Sequence, residues 1–284
     1  MDVFKTVRHY LKNTDLYLLV LALLCSAYGM VLIYSATLNP VSGLDGSTRN
    51  LFVQAAAIII GLGAFVVMSL IDLETMSGWW KIFVLLNIGL QMLLFTPLGQ
   101  EVNGQRAWLN LGVTSLQPGE LGKLIFIFTL AAHISEIREH ISEWRGLFVI
   151  GLHTLIMMGA VVVASGDTGM AIQYFMIALI MLFAAGLSMK WIAVGAGLGL
   201  VSIPFLWNFV LVGYQITRIL VLFDPSIDPD ISRQATYGKI AIGSGQLSGQ
   251  GLTNGTMTQM QIVSENQTDY IFSVAGEELG FIGC

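Results

Sequence analysis

Runs of apolar residues, each close to the thickness of a bilayer, alternate with short polar turns along most of the chain. Seven such runs lie near residues 16–36, 50–70, 78–96, 119–134, 146–164, 168–186 and 190–211. A helix needs about 20 predominantly apolar residues to cross the hydrocarbon core, so the pattern predicts seven transmembrane helices. The fourth run is short and carries Glu120, Lys123 and His133. The first run follows Lys5, Arg8 and Lys12, as a signal peptide would. It is about twice the length of a signal h-region and ends in SATLNP without a small-x-small cleavage site, so it reads as a retained span. An eighth apolar stretch begins at Tyr270 and the sequence stops inside it, which is the expectation for a truncated chain.

The pattern breaks once, over residues 212–269. Here DPSIDPD, SRQATYGK and GSGQLSGQGLTNGT replace the apolar runs. The predicted organisation is a single membrane domain: spans 1–7 over residues 1–211, a large extracytoplasmic loop over 212–269, and the start of an eighth span over 270–284. So long a connection in a chain otherwise joined by short turns points to function. Tyr237, Ile240, Ala241, Ile242 and Leu247 would let part of it fold back as a short amphipathic or re-entrant element; the alternative is a flexible surface loop.

Composition sharpens this reading. Charged residues are 11% of 284 and hydrophobic ones 55%, against roughly 25% charged in soluble proteins. A water-facing surface cannot be built from that supply, and a soluble fold is excluded. With no basic stripe, nucleic acid is not an expected partner, and the net charge of −5 says little else. Cys25 and Cys284 form neither a disulfide framework nor a metal-ligand spacing. No internal repeat is visible, which weakens an inverted-repeat transporter. Lys81, Arg138, Arg145 and Lys190 join the N-terminal three in alternate short loops, while the others hold Arg49 and Arg106. By the positive-inside rule the N-terminus is cytoplasmic and the 212–269 segment outside.

Each ionisable group at membrane depth costs roughly 2.5–3.5 kcal/mol on insertion scales and needs a partner or a function. Glu120 and Lys123, in QPGELGK, lie three apart on one helical face; they form either a local ion pair or part of a cavity. Asp167, in SGDTG, either caps the helix starting at Thr168 or lines the same cavity. Asp269 stands where the long segment meets the eighth stretch. It is either an N-cap, a role Thr268 would also fill, or a carboxylate whose pKa partial desolvation raises into the range of a general base. Of Glu277 and Glu278, at least one must face protein or water. Arg106, Arg218, Arg233 and Lys239 are cations suited to a diphosphate, with ordinary solvated positions as the alternative.

The runs YQITRILVLFDPSIDP, KIAIGSGQLSGQGLTNGT and ENQTDYIFSVAGEELG, preceded by NGQRAWLNLG, LQPGELGK and SGDTG, resemble in order the signature of the SEDS proteins (RodA, FtsW, SpoVE). The resemblance covers nearly the whole chain. It implies a polytopic all-α membrane protein with about ten spans and a large outer loop after the seventh, so that about two and a half spans would be missing. It also implies a peptidoglycan glycosyltransferase that polymerises lipid II with inversion in the bacterial cytoplasmic membrane. Carried over by motif, the essential loop aspartate falls on Asp269, the cavity carboxylates and lysine on Glu120, Asp167 and Lys123, and the Y-Q-x-x-R pair on Gln215 and Arg218. Arg106 matches the basic stretch before W-L, and Lys239 precedes A-I-G-S-G. Departures are present: L-P-E-x-H-T-D is here Val263 to Asp269 with Gln267 for the histidine, Q-P-S-E is Gln117-Pro118-Gly119-Glu120, and Q-P-D-L-G is Ser165 to Gly169.

Under that resemblance Asp269 deprotonates the acceptor hydroxyl, while Arg218, Lys239 or Arg106 holds the diphosphate. A divalent ion, Mg or Mn, bound through Asp269 would serve the leaving group too, although no ligand cluster compels one. Implied partners are lipid II, membrane lipid and a class B penicillin-binding protein transpeptidase. AIGSG followed by GQGLTNGTMTQ leans toward the elongation branch rather than division or sporulation. Two alternatives differ in class: a flippase for the lipid-linked precursor and a non-catalytic scaffold of the cell-wall machinery. The suspicious charges collect on one side, which suits a polymerase better than alternating access.

Overall fold

A computed structural model of the chain describes residues 15–38, 45–102, 105–112, 115–205, 207–208 and 213–284. Lys5, Arg8 and Lys12, and residues 206 and 209–211 of the seventh run, lie outside the described residues. In chain order the helices are α1 (Leu16–Thr37), α2 (Asp45–Leu70), α3 (Leu73–Ser77) and α4 (Trp80–Met92). Strands β1 (Gly99–Val102), β2 (Gln105–Asn110) and β3 (Ser115–Leu116) follow. Then come α5 (Pro118–Glu136), α6 (Trp144–Ser165), α7 (Thr168–Ala184), α8 (Met189–Phe205), α9 (Gly213–Val221), α10 (Pro229–Ser244), α11 (Thr256–Gln259) and α12 (Ile271–Gly283). The helices track the apolar runs to within a few residues. By length and composition α1, Arg49–Leu70 of α2, and α6 are long and apolar enough to cross a membrane, and Trp80–Phe95, α7 and α8 are shorter apolar helices.

The structure corrects the all-helical expectation in one place. Residues 99–116 form a three-stranded antiparallel sheet in the order β1-β2-β3, with Gly99 opposite Leu109 and Leu109 opposite Leu116. Leu109 is buried with Leu94 and Ala164, so the sheet covers an end of α6 with one apolar face. Strands this short carry too few residues for an alternating pattern to stand out between apolar helices.

The chain divides into two compact units, one of residues 71–205 and one formed by the segments on either side of it. In the central unit α4, α5, α6 and α7 pack around Phe126, Leu130, Ile150, Met157, Val161 and Tyr174. Close approach here depends on glycine: a Cβ on Gly122 would strike the side chains of Tyr174, Gln91 and Asn87. Those three side chains use the space to reach backbone. Asn87 donates to the Gly122 carbonyl at 2.9 Å, Gln91 to the Pro118 carbonyl at 3.1 Å, and Tyr174 to the Gly119 carbonyl at 3.2 Å. The end of this unit bearing Lys81, Arg138, Arg145 and Lys190 is tied together by Trp80 Nε1 to Glu136 at 2.9 Å and Trp191 Nε1 to the Ser142 carbonyl at 2.7 Å.

In the other unit, Leu32 and Ala36 of α1 pack on Val274 and Ala275 of α12. The polar 212–269 segment is built rather than loose. Asp224 accepts from Ser226, Asp228 accepts from the Asp230 and Ile231 amides, and Pro229 stands in the first turn of α10; DPSIDPD is therefore a turn followed by a helix start. Helix α10 carries Tyr237, Ile240, Ala241 and Ile242, the residues expected to fold back, and it lies closely on α12. The approach is backbone to backbone, since a Cβ on Gly245 would collide with the Gly276 carbonyl and one on Gly276 with Ile242.

Helix α12 breaks at Gly280, whose φ of 69° and ψ of −170° suit glycine alone. The break frees the Glu277 and Glu278 carbonyls and the Phe281 and Ile282 amides. The glycine-rich run replaces the lost bonds: Gln250 and Gly251 donate to Glu277 and Glu278, both at 2.9 Å, and Phe281 and Ile282 donate to Gln246 and Leu247 at 2.9 and 3.1 Å. Backbone groups in an apolar setting must be paired, and this clamp pairs them.

Candidate active site

Asp269 sits in a turn that leads into α12. The turn is held by Thr268 and Tyr270 amides donating to the Glu265 carbonyl at 3.1 and 3.2 Å, with Glu265 at φ 55°. Tyr270 occupies the cap position of α12 and no side chain caps it, so neither Thr268 nor Asp269 serves as N-cap. The Asp269 side chain is exposed. Its neighbour Tyr270 packs over Gly238 of α10, where a Cβ would lie 3.0 Å from the ring.

Tyr270 also lines a cleft of about 720 Å³ between α9, α10 and the start of α12. Arg218 of α9 and Lys239 of α10 line it as well, together with Asp228, Asp230 and Gln234. The structure thus gathers two of the three proposed diphosphate cations beside the residue that follows Asp269. Gln215 lies one turn before Arg218 on α9 and is half-buried, and Arg233 is exposed on α10. Among the described residues no group of three or more His, Cys, Asp or Glu side chains is arranged for a metal ion. Asp228 Oδ1 accepts from the Asp230 and Ile231 amides of α10.

The remaining predicted residues lie in the central unit. Lys123 pairs with Glu120 at 2.9 Å and donates to Gln173 of α7 at 2.6 Å; the Lys123 side chain is mostly covered, the Glu120 side chain mostly exposed. Asp167 is the N-cap of α7 and accepts from the Met170 amide at 2.9 Å. Lys123 therefore bridges α5 to the helix that Asp167 caps. Arg106 of β2 donates to the Thr96 carbonyl at 2.9 Å. Gln173 escaped the sequence reading, although a lone glutamine within TGMAIQYFMIALIMLFA was a visible signal. Tyr270, Asp228, Asp230 and Gln234 were missed as cleft residues because only the packing of α10 on α12 brings them together.

Residues 15–284 match the FtsW/RodA/SpoVE family, described as cell cycle protein. The chain belongs to that family. Peptidoglycan glycosyltransferase MrdB of Escherichia coli (strain K12) is 33% identical over 267 residues, spanning 94% of this chain and 69% of that protein. The probable peptidoglycan glycosyltransferase FtsW of Geobacter sp. (strain M18) is 30% identical over 273 residues, spanning 95% and 73%. Among solved structures, a chain of a peptidoglycan synthase complex that coordinates polymerization and crosslinking is similar with a TM-score of 0.72 and 24% identity, covering 95% of this chain and 73% of that one. The rod shape determining protein RodA of Thermus thermophilus gives 0.59 and 22%, covering 95% and 69%. The fold is thus shared with these structures at low identity.

Proposed function

We propose that this FtsW/RodA/SpoVE family member is a peptidoglycan glycosyltransferase that extends glycan strands from lipid II at the outer face of the bacterial cytoplasmic membrane. The relatives named above for that activity support the reaction class. The observation that carries the site is an Asp269 carboxylate not used as a helix cap, next to a Tyr270 that lines a cleft with Arg218 and Lys239. In this reading Asp269 takes the proton from the acceptor 4-hydroxyl as the oxygen bonds to the anomeric carbon of the donor. The bond from that carbon to diphosphate breaks, and the diphosphate leaves with the electron pair. Arg218 and Lys239 hold the growing negative charge, which a leaving group of this kind needs more than a proton. No step passes through a metal.

Seven spans, an outer 212–269 segment and a cytoplasmic N-terminus belong to the same proposal, supported by hydropathy and by the cations at one end of the central unit. Arg106 is proposed as a further cation for the diphosphate, Glu120, Lys123 and Asp167 to shape a cavity in the central unit, and Gln215 to support Arg218. A class B penicillin-binding protein is the proposed partner, in line with the synthase complex whose chain shares the fold. Elongation is the proposed branch, from AIGSG and GQGLTNGTMTQ. The test is polymerisation of lipid II by purified, reconstituted protein. Asp269→Asn should lower the rate at least about 100-fold, the scale of losing a general base. Retention of the parental rate would remove Asp269 from the reaction, and head-group translocation without polymerisation would favour a flippase.

A further inference from the structure

Two carboxylates at the centre of α12, Glu277 and Glu278, have no exposed surface. Both are fully engaged. Glu278 accepts from Ser35 Oγ of α1 at 2.5 Å, from the Thr253 amide at 3.1 Å and from Gln259 Nε2 at 3.1 Å. Glu277 accepts from the Met257 and Thr258 amides at 2.7 and 2.9 Å and from Thr258 Oγ1 at 2.7 Å, which fixes α11 in place. Thr258 then passes the restraint on. Its carbonyl accepts from Asn266 Nδ2 at 3.3 Å, and Asn266 is only 3% exposed. Asn266 lies three residues before Asp269, inside the turn closed by the Thr268 and Tyr270 amides on Glu265. Val263, 2% exposed, pins the other end of the same segment.

We propose that Asn266, anchored through Thr258 to the buried Glu277, is a positioning residue that sets where Asp269 meets the substrate. The proposal rests on the reading of Asp269 as the base. A buried carboxylate on a packed helix is a fixed point, whereas the Asp269 turn is exposed and has no side-chain cap of its own. Besides the chain itself, the Asn266 side-chain amide ties the turn to Thr258, which is held in turn by Glu277. Asn266 stands at the x of the pattern E-x-H-T-D, and Gln267, in place of the histidine beside it, donates to Glu265 at 3.5 Å. A shift near 1 Å in a reacting group costs about 100-fold in rate.

The experiment compares Asn266→Ala, Asn266→Asp and Thr258→Val with the parent and with Asp269→Asn, all reconstituted and assayed on lipid II. Asn266→Asp keeps the side-chain shape and removes the donor. The expected result, at a temperature well below every variant's melting point, is a kcat loss of about 10- to 100-fold for both Asn266 variants with KM within about 2-fold, alongside a lower melting temperature from the lost buried hydrogen bond. Thr258→Val should show a smaller loss of the same kind. If both Asn266 variants keep the parental kcat while Asp269→Asn is inactive, the positioning role is overturned and the base assignment stands. A rate that falls only by the fraction of protein unfolded at the assay temperature, with kcat per folded molecule at the parental value, would mark Asn266 as merely structural and also overturn it. An active Asp269→Asn would remove the base reading, and the positioning role with it.

Discussion

Asp167 and Asp269 looked alike in the sequence, each an acidic residue before an apolar helix. The structure separates them by one geometric fact: Asp167 Oδ1 accepts from an amide in the first turn of α7, while α12 starts two residues beyond Asp269 and leaves it outside the cap. A carboxylate committed to a cap offers its lone pairs to backbone. At the opposite end of the central unit, His140 Nδ1 lies 2.8 Å from Glu143. That hydrogen bond, with the added attraction of the charge, raises the imidazole above its ordinary value of 6.5. A raised base contributes stability that is complete below 6.5 and fades as the pH climbs through the folded midpoint. Both side chains are well exposed, so salt screens the effect. NMR titration of labelled histidine should show a His140 midpoint above the ordinary value, and Glu143→Gln should bring it down. An unmoved midpoint would deny the pair.

At the scale of elements, the break in α12 decides how the long polar segment folds. Four backbone groups released at Gly280 are recovered by the run from Gln246 to Gly251. Glycines recur there because a Cβ on Gly249 would meet the Glu278 carbonyl, and Gly249 and Gly251 take φ of 77° and 97°. In the sequence, a flexible surface loop stood as the alternative for this segment. Substituting Gly280→Ala places a side chain at φ 69° and against the Gly249 amide, so it should cost about 1–3 kcal/mol from the backbone conformation alone. Thermal unfolding in detergent is the measurement; an alanine variant that melts with the parent would show the clamp to be slack.

For the whole molecule, the two ends of the central unit carry different chemistry: cations and tryptophans at one, the Glu120–Lys123 pair and the Asp167 cap at the other. Interfacial tryptophans and inner-side cations orient a membrane chain. With Cys25 and Cys284 replaced by alanine, Ser248→Cys should react with a membrane-impermeant maleimide in intact cells, and Glu139→Cys only after permeabilisation. The reverse pattern would invert the topology, and labelling of both would break the odd span count.

Hydropathy along the chain was enough to place the long helices, because lipid acts as a solvent on each segment separately and every span must satisfy its own backbone. The turn at DPSIDPD and the cap at Asp167 were legible for a related reason: both bonds close within three residues. Charge scarcity likewise reduced the candidate site to a few residues, and the family motifs singled out Asp269 among them. The tertiary structure alone decided the rest. Glu277 and Glu278 find partners about 20 residues away along the chain and, for Ser35, at the far end of it, so no local pattern could say that both are buried and satisfied. The cleft at Tyr270 and the clamp on α12 exist because glycine lets two backbones touch, a contact that depends on which helix arrives opposite and on nothing within either segment.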